Sequence, residues 1–148
     1  MAFLRDEKPY NSNGGSSTGN TVHTRTLNTI ETSGNISCSL SSNQFTLGAG
    51  TYYMTGGAPS FDAERHRTFI YNFTDSEYVL TGVSQYNEDR EQTVSTFSGI
   101  ITITSSKGFE LRHYIQGISA TFGLGVGTTS DTITTRNIEY LGRITNTV

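Results

Sequence analysis

Short runs of alternating apolar and polar residues constrain this chain more than any other feature of its sequence. In the run 67–73, Phe69, Tyr71 and Phe73 fall on one face. A period of two residues is typical of half-buried strands. Few windows longer than one turn lack a β-branched residue, a glycine or a proline, so helical patterning is nearly absent. The sequence therefore predicts an all-β protein.

About ten short strands are predicted, with turn residues between them. Such an inventory is typical of a single jelly-roll β-sandwich. The 148 residues, 33% of them hydrophobic, are enough for one compact domain and too few for two. The predicted strands are 24–32, 35–40, 44–47, 50–56, 67–73, 78–86, 93–104, 109–117, 120–129 and 135–145.

A polar segment precedes the first predicted strand. The stretch "NSNGGSSTGN" is low in complexity and buries too little apolar surface to order itself. We expect residues 1–21 to form an extended N-terminal arm and residues 22–148 to form the jelly-roll domain.

Several stretches resemble a known family. They are "FTLGAGTYYMTGGAP" from Phe45 to Pro59, "HRTFIYNFTDSEYVLTGVSQY" from His66 to Tyr86, "GFELRHY" and "FGLGVG". Together they resemble the C1q/TNF-like jelly-roll modules of bacteriophage virion proteins, both head-decoration proteins and tail-fibre tips. Gly48 stands where that pattern often has proline. The resemblance implies a C1q/TNF-like jelly roll and a homotrimer.

Charge and cysteine content exclude several classes of protein. With 13 acidic and 10 basic residues the net charge is -3, and no basic stripe offers a nucleic-acid site. No apolar run is long enough to cross a membrane, and the start "MAFLRDEKPY" lacks the apolar run of a signal peptide. We expect a soluble protein made in a cytoplasm. Because Cys38 is the single cysteine, an intrachain disulfide is excluded, and we interpret Cys38 as a packed thiol.

One cluster has the composition of a metal site. Asp62, Glu64 and His66 alternate and would share a face if the segment were extended. Two carboxylates and an imidazole can hold a divalent cation, but the sequence names no further ligand. A solvated charge cluster is the preferred interpretation, so no metal is predicted.

A second cluster has the composition of a glycosidase site. Glu88, Asp89 and Glu91 surround Arg90 between two predicted strands. Glycosidase chemistry needs two carboxylates across a cleft, and neighbours on one loop tip seldom frame one. We interpret the cluster as an exposed loop, and the protein as a non-enzyme.

Histidine and glycine motifs give no catalytic or cofactor site either. His23 and His113 lie in different segments and have no serine or cysteine motif to pair with. "GLGVG" superficially resembles a dinucleotide loop, but Thr128 fills the place of the last glycine and no helix follows. No cofactor is predicted.

The glycine-rich stretch 120–129 is predicted to be a strand shaped for contact. Gly123, Gly125 and Gly127 would share one face, and glycine lets a neighbour approach closely. Tyr114 and Tyr140 are the aromatic residues expected against that face, across the sheet or across the trimer. These five residues are the candidate subunit interface.

The resemblance and the arm together suggest a function. We expect a bacteriophage capsid decoration or cement protein, located on the capsid surface of the virion, that binds the major capsid protein as a homotrimer and stabilises the shell. The alternative is a tail-fibre or adsorption protein that binds a host-surface receptor such as a glycan. In the first case, the arm residues expected to contact the shell are Phe3, Leu4, Tyr10, Asn11 and Asn20.

Overall fold

The computed structural model describes residues 1–127 and the backbone of the strand Ile138–Thr147. Among these residues there is no helix long and apolar enough to cross a membrane. They form twelve strands: β1 (Ala2–Pro9), β2 (Thr21–Thr24), β3 (Thr29–Thr32), β4 (Cys38–Ser41), β5 (Gln44–Leu47), β6 (Gly50–Phe61), β7 (Glu64–Asn72), β8 (Glu77–Thr81), β9 (Gln85–Asn87), β10 (Gln92–Ile103), β11 (Lys107–Ile115) and β12 (Ile138–Thr147).

The strands form two antiparallel sheets. The first sheet has the order β10-β6-β12-β1-β3, and the second has the order β4-β5-β11-β7-β8. At one end of the second sheet, β2 pairs with β11 and β9 pairs with β7. Strands that follow one another in sequence repeatedly lie in different sheets, as in a jelly roll. The predicted all-β sandwich is therefore confirmed.

The core lies between the two sheets and follows from the period-two pattern. Phe45 on β5 and Phe109 on β11 stack with ring centroids 5.5 Å apart. Each large apolar side chain buried here contributes about 1.5–3 kcal/mol through removal from water. The buried core residues are Ala2, Leu4, Leu27, Phe45, Leu47, Tyr52, Met54, Ala58, Ile70, Phe97, Ile101, Phe109 and Leu111.

The expected extended arm is not what the structure shows for the first nine residues. Ala2–Pro9 is a strand that lies between β12 and β3 in the first sheet. Ala2 and Leu4 are completely buried, because they alternate onto the inner face of that sheet. The arm prediction rests on the low-complexity segment 11–20 and does not use the apolar alternation of Ala2 and Leu4 ahead of it.

Several predicted strands have other boundaries. The run 24–32 is divided into β2 and β3, with the buried Arg25 between them. The run 78–86 is divided into β8 and β9 by a segment that contains Gly82, where an added Cβ would meet the Thr68 hydroxyl. The predicted strand 50–56 continues to Phe61. Positions 135–137 lie outside the described residues.

The glycine-rich stretch is not a strand in its described part, residues 120–127. It forms bends and turns that lie against the polar segment 13–17 near the N-terminus. Backbone hydrogen bonds join the two segments: Gly14 N to Gly125 O at 2.8 Å, Leu124 N to Gly15 O at 3.1 Å, and Ser17 N to Ser119 O at 2.8 Å. The two low-complexity segments of the sequence are therefore each other's partners, and positions 128 and 129 lie outside the described residues.

Glycine is required at this contact because the two backbones approach closely. A Cβ at Gly14 would collide with the carbonyl of Leu124, and a Cβ at Gly123 would collide with the Ser17 side chain. Gly125 adopts φ +104°, a conformation that other residues rarely adopt. The alternating glycines thus serve packing within the chain, which a strand interpretation does not anticipate.

Candidate functional site

The outer side of the first sheet carries a surface without charged side chains. Neither Gly50–Phe61 nor Gln92–Ile103 contains an aspartate, glutamate, lysine or arginine. Buried residues such as Tyr52 and Met54 point inward, so their neighbours along the strand point to solvent. We call this surface the uncharged face; its residues are Thr51, Tyr53, Thr55, Val94, Thr96, Ser98, Ile100 and Thr102.

Large apolar side chains are exposed on the uncharged face. Ile100 is 69% exposed, Tyr53 is 48% exposed and Val94 is 47% exposed. Ile100 lies directly opposite Tyr53 in the strand register, so the two form one cross-strand pair. Grouped exposed apolar side chains on a sheet mark an interaction surface more often than single ones do.

The uncharged face ends at an edge strand with little protection. β10 is twelve residues long and lies at the border of the first sheet. Natural edge strands are usually short, or carry lysine, proline or a bulge, to prevent pairing with another chain. Here Val83 N donates to Thr96 O at 2.8 Å and covers one point of the edge. Residues 92–103 contain no charged side chain, and this feature of the sequence could have predicted an interaction surface on the strand.

The outer side of the second sheet has the opposite character. Arginine and aromatic residues alternate there on neighbouring strands: Arg112 lies opposite Phe69, and Tyr114 lies opposite Arg67. We call this surface the arginine–aromatic face. Its residues are Arg65, Arg67, Phe69 and Tyr71 on β7, Tyr78 on β8, Tyr86 on β9, and Arg112 and Tyr114 on β11.

Each arginine of this face lies over an aromatic ring. The guanidinium carbon of Arg112 is 3.5 Å from the Tyr71 ring centroid, and that of Arg67 is 5.2 Å from the Phe69 centroid. Arg65 lies 5.9 Å from the ring of Tyr86. Such cation–π contacts contribute about 0.5–1 kcal/mol each at exposed sites. They hold the guanidinium groups in defined positions.

The aromatic rings are also in contact with one another. Tyr78 lies 4.9 Å from Tyr71 and 5.1 Å from Phe69, centroid to centroid. Tyr78 is 51% exposed and Tyr86 is 50% exposed. The face therefore presents ring surface to solvent as well as positive charge.

One carboxylate of the second sheet partly balances this charge. Glu110 accepts hydrogen bonds from Gln44 Nε2 at 2.9 Å and from Arg112 Nε at 2.9 Å. Burial would raise the pKa of Glu110, but these hydrogen bonds outweigh it and lower the pKa below its usual value. Glu110 is ionised at neutral pH and neutralises Arg112 in part. Arg65 and Arg67 form no ion pair among the described residues.

A chain of buried polar groups crosses the space between the sheets. Arg25 Nη1 lies 3.4 Å from His113 Nδ1, His113 Nε2 lies 2.8 Å from His66 Nδ1, and His66 Nε2 lies 2.7 Å from Thr93 Oγ1. A guanidinium only donates, so His113 Nδ1 accepts and its Nε2 donates to His66. His66 then donates from Nε2 to Thr93. We call these four residues the buried polar chain.

Burial and charge keep both imidazoles of the buried polar chain neutral. Burial, supported by the positive charge of Arg25, lowers the pKa of His66 to about 4 and that of His113 well below its usual value. Burial also lowers the pKa of Arg25 to about 10, against the opposing effect of Asp6. Arg25 is 2% exposed, His66 1% and His113 0%, so no substrate has access to them. Their role is structural.

The structure separates the residues of the predicted metal cluster. Asp62 and Glu64 are exposed and each has a positive φ, whereas His66 is buried. The segment is bent between β6 and β7, so the expected extended alternation does not occur. Among the described residues, no group of three histidine, cysteine or acidic side chains is placed to hold a metal ion.

The other candidate chemical residues are also dispersed. Glu88, Asp89 and Glu91 lie on the exposed connection between β9 and β10, as the loop interpretation predicts. His23 contacts the backbone of Thr18. Cys38 is half-buried, and burial raises the pKa of its thiol to about 11, which makes it unreactive at neutral pH.

The predicted shell contacts differ in their exposure. Leu4 is completely buried, and Phe3 is half-buried beneath the Arg5 guanidinium. Leu4 cannot contact another protein in this fold, which corrects its assignment. Of the others, Tyr10 is half-buried, and Asn11 and Asn20 are exposed.

The predicted subunit interface is likewise divided. Gly123 and Gly125 are buried by their own chain, so they are not open to a neighbouring subunit. Gly127 N donates to Asn13 Oδ1 at 3.2 Å. Tyr114 belongs to the arginine–aromatic face, where its hydroxyl donates to Asn20 Oδ1 at 3.1 Å. The backbone of Tyr140 lies in β12 opposite Glu7, and its side chain lies outside the described residues.

Comparison with known proteins assigns the fold. It is a C1q-like jelly roll, similar to the globular domain of zebrafish complement 1qA protein, with a TM-score of 0.50. That likeness covers 98% of this chain and 93% of the other at 12% identity. A mutant of the family 29 carbohydrate-binding module CBM29-2 aligns over 90% of this chain and 99% of its own, at 9% identity and a TM-score of only 0.25. No family model and no curated protein sequence matches this chain.

Proposed function

We propose that this protein is a non-enzymatic structural subunit of a bacteriophage virion that assembles as a homotrimer. In this proposal it decorates the capsid surface, binds the major capsid protein and stabilises the shell. A C1q-like jelly roll is a fold shared by many binding and structural proteins, which is compatible with such a role. The phage assignment comes from the sequence resemblance.

The observation that carries the proposal is the uncharged face. Tyr53, Val94 and Ile100 expose apolar surface on strands that have no charged residue. On the exposed face of a monomer, charged side chains at such positions would prevent pairing with other chains. On a face covered by another copy of the chain, the same charges would have to be buried, which weakens association. Self-association through the uncharged face explains both the composition and the length of the unprotected edge.

Attachment to the shell is assigned differently from the sequence-based expectation. Because Ala2–Pro9 is part of the first sheet, it is not free to reach between shell subunits. In the proposal, each of the three copies in the homotrimer contacts the shell through the same part of its surface. Linking three weak contacts raises the local concentration of each and gives durable attachment.

Two measurements test the proposal. Light scattering coupled to size-exclusion chromatography is expected to give three times the chain mass of 16.2 kDa. Quantitative mass spectrometry of purified virions is expected to find the protein in copy numbers comparable with those of the shell subunits. A monomer in the first experiment contradicts the homotrimer, and a few copies confined to the tail in the second contradict the decoration role.

A specific observation favours the adsorption protein as a second candidate. The arginine–aromatic face exposes ring surface and cationic groups together, as a receptor-binding surface does. Location of the protein at the tail tip by electron microscopy of antibody-labelled virions would favour this candidate over decoration.

A further inference from the structure

The arginine–aromatic face lies on the sheet opposite to the uncharged face. Arg67 is exposed, and the contact that the structure shows for its guanidinium is the one with the Phe69 ring. Arg65 adds one hydrogen bond, to Gln116 Oε1 at 3.2 Å. Neither arginine closes an ion pair among the described residues, although the whole chain has a net charge of -3. Three arginines thus lie together on one face of an acidic protein, with Glu110 beside Arg112 and with Glu88 accepting a hydrogen bond from the Tyr86 hydroxyl.

The arginines are positioned for recognition of carboxylates. A guanidinium offers planar, paired N–H groups that match the two oxygens of a carboxylate. Stacking on a ring fixes the plane of the guanidinium, and its edge remains available for hydrogen bonds in that plane. Arg112 illustrates the geometry, because it stacks on Tyr71 and donates from Nε to Glu110.

The aromatic residues add an apolar platform between these cations. Side chains on one face of a strand are about 7 Å apart along it, and neighbouring strands are about 4.8 Å apart. The rings of Tyr71 and Tyr78 therefore lie beside the guanidinium groups of Arg67 and Arg112 on an open, shallow sheet surface. Sugar rings present C–H groups that pack on tyrosine faces, with hydroxyls free to bond at the edges.

We propose that the arginine–aromatic face binds an acidic polysaccharide, a chain of sugars that bear carboxylates. The carboxylates pair with Arg65 and Arg67, and the sugar rings lie over the exposed rings of Tyr78 and Tyr86. Charge complementarity favours a polyanion over a neutral glycan. The tyrosine surface favours a sugar chain over nucleic acid, whose phosphates need a longer basic stripe than three arginines provide.

This inference does not depend on the virion or the homotrimer. A single copy of the face is a complete site, and trimerisation would only multiply it. Failure of the homotrimer therefore leaves the polysaccharide proposal intact, and the reverse also holds.

The test uses the full-length protein and polygalacturonate as the probe, with binding measured by isothermal titration calorimetry. Fully methyl-esterified polygalacturonate is the matched ligand, because it keeps the sugar backbone and removes the carboxylate charge. We expect at least about tenfold weaker binding of the ester, as loss of charge-assisted hydrogen bonds implies.

Variants then locate the site. Arg67→Gln and Tyr78→Ala are each expected to weaken polygalacturonate binding by about fivefold or more. Arg90→Gln removes an exposed arginine from the β9–β10 connection and is the matched control, expected to change binding less than twofold. Circular dichroism checks that each variant is folded.

Four outcomes overturn the proposal. They are no binding of polygalacturonate, equal binding of its methyl ester, equal weakening by Arg90→Gln and Arg67→Gln, and binding of DNA or poly-L-glutamate as tight as that of polygalacturonate. Tight binding of poly-L-glutamate would indicate an acidic protein as the partner of this face.

Discussion

His66 and His113 share a hydrogen bond of 2.8 Å between Nδ1 and Nε2 in the interior between the two sheets. The bond requires one ring to donate and the other to accept, and contact with Arg25 determines which. Because Arg25 donates to His113, neither ring can take a second proton without losing an acceptor in this chain. The low pKa of both histidines therefore has a geometric cause as well as burial.

We expect the protein to lose stability as the pH falls from about 6.5 to about 4. The pKa of His66 is about 4 in the fold and 6.5 in its ordinary state, so the unfolded chain takes up protons first. Each unit of pKa difference corresponds to about 1.4 kcal/mol, so the full loss attributable to His66 is about 3.5 kcal/mol, of which about 2.5 kcal/mol falls between pH 7 and pH 4.5. Urea unfolding at pH 7 and at pH 4.5 measures it.

His66→Gln is expected to reduce this pH dependence, since glutamine does not titrate. His23→Gln is the control, because His23 lies outside the buried polar chain and, among the described residues, its ring forms hydrogen bonds with the backbone of Thr18. The paired carboxylates Glu110 and Asp75 have lowered pKa values, so their contribution is lost at lower pH, below that of the histidines. A wild-type unfolding free energy unchanged between pH 7 and pH 4.5 would refute the account.

The jelly roll could be predicted from sequence because apolar residues alternate over much of its strands. Phe109, Leu111 and Ile115 are all buried on β11, as their spacing predicts. The same pattern also places Ala2 and Leu4 on one face, but the alternation is only two apolar residues long before the charges of residues 5–8 begin. Those charges are tolerated because they pair locally: Arg5 contacts Glu7 and Glu31, and Lys8 lies 3.0 Å from Asp6.

The candidate faces could be predicted only in part. Local alternation places Tyr114 and Arg112 on the outside of β11, but it does not say which strand lies beside them. The contact of Arg112 with Tyr71 arises from pairing of β11 with β7, about 40 residues apart in sequence. The contact of Gly123 with Ser17 joins segments still further apart in sequence, and local alternation of the glycines predicts a strand instead.

We expect removal of Met1–Pro9 to abolish cooperative folding, because the deletion opens the first sheet between β12 and β3. The milder substitution Leu4→Ala is expected to cost about 2–5 kcal/mol, since it leaves a cavity in the core. Thermal unfolding followed by circular dichroism measures both. Thr18→Ala is the control: it lies at an exposed position within residues 1–21 and is expected to change the free energy of unfolding by less than about 0.5 kcal/mol. Cooperative unfolding of the truncated protein at the wild-type temperature would restore the arm interpretation.

We expect Gly123→Val to separate the stretch 120–127 from the segment 13–17. The added side chain would collide with Ser17, and the strain would cost about 1–3 kcal/mol. Hydrogen exchange followed by mass spectrometry is expected to show faster exchange at the amides of Gly14 and Ser17, which bond across the contact. Ala120→Val, at an exposed position of the same stretch, is the control and should leave exchange unchanged. Equal exchange in both variants would show that the glycine is not needed for close approach.

We expect Ile100→Lys to dissociate the proposed oligomer while the fold is retained. The side chain is 69% exposed in the single chain, so lysine is tolerated there, but a charge in a buried interface between copies is costly. Light scattering coupled to size-exclusion chromatography is expected to show the mass of one chain for this variant. Val22→Lys introduces the same charge at a 42% exposed position on β2, in the second sheet, and should leave the mass unchanged. If Val22→Lys dissociates the oligomer and Ile100→Lys does not, self-association uses the second sheet, and the uncharged face must have another partner.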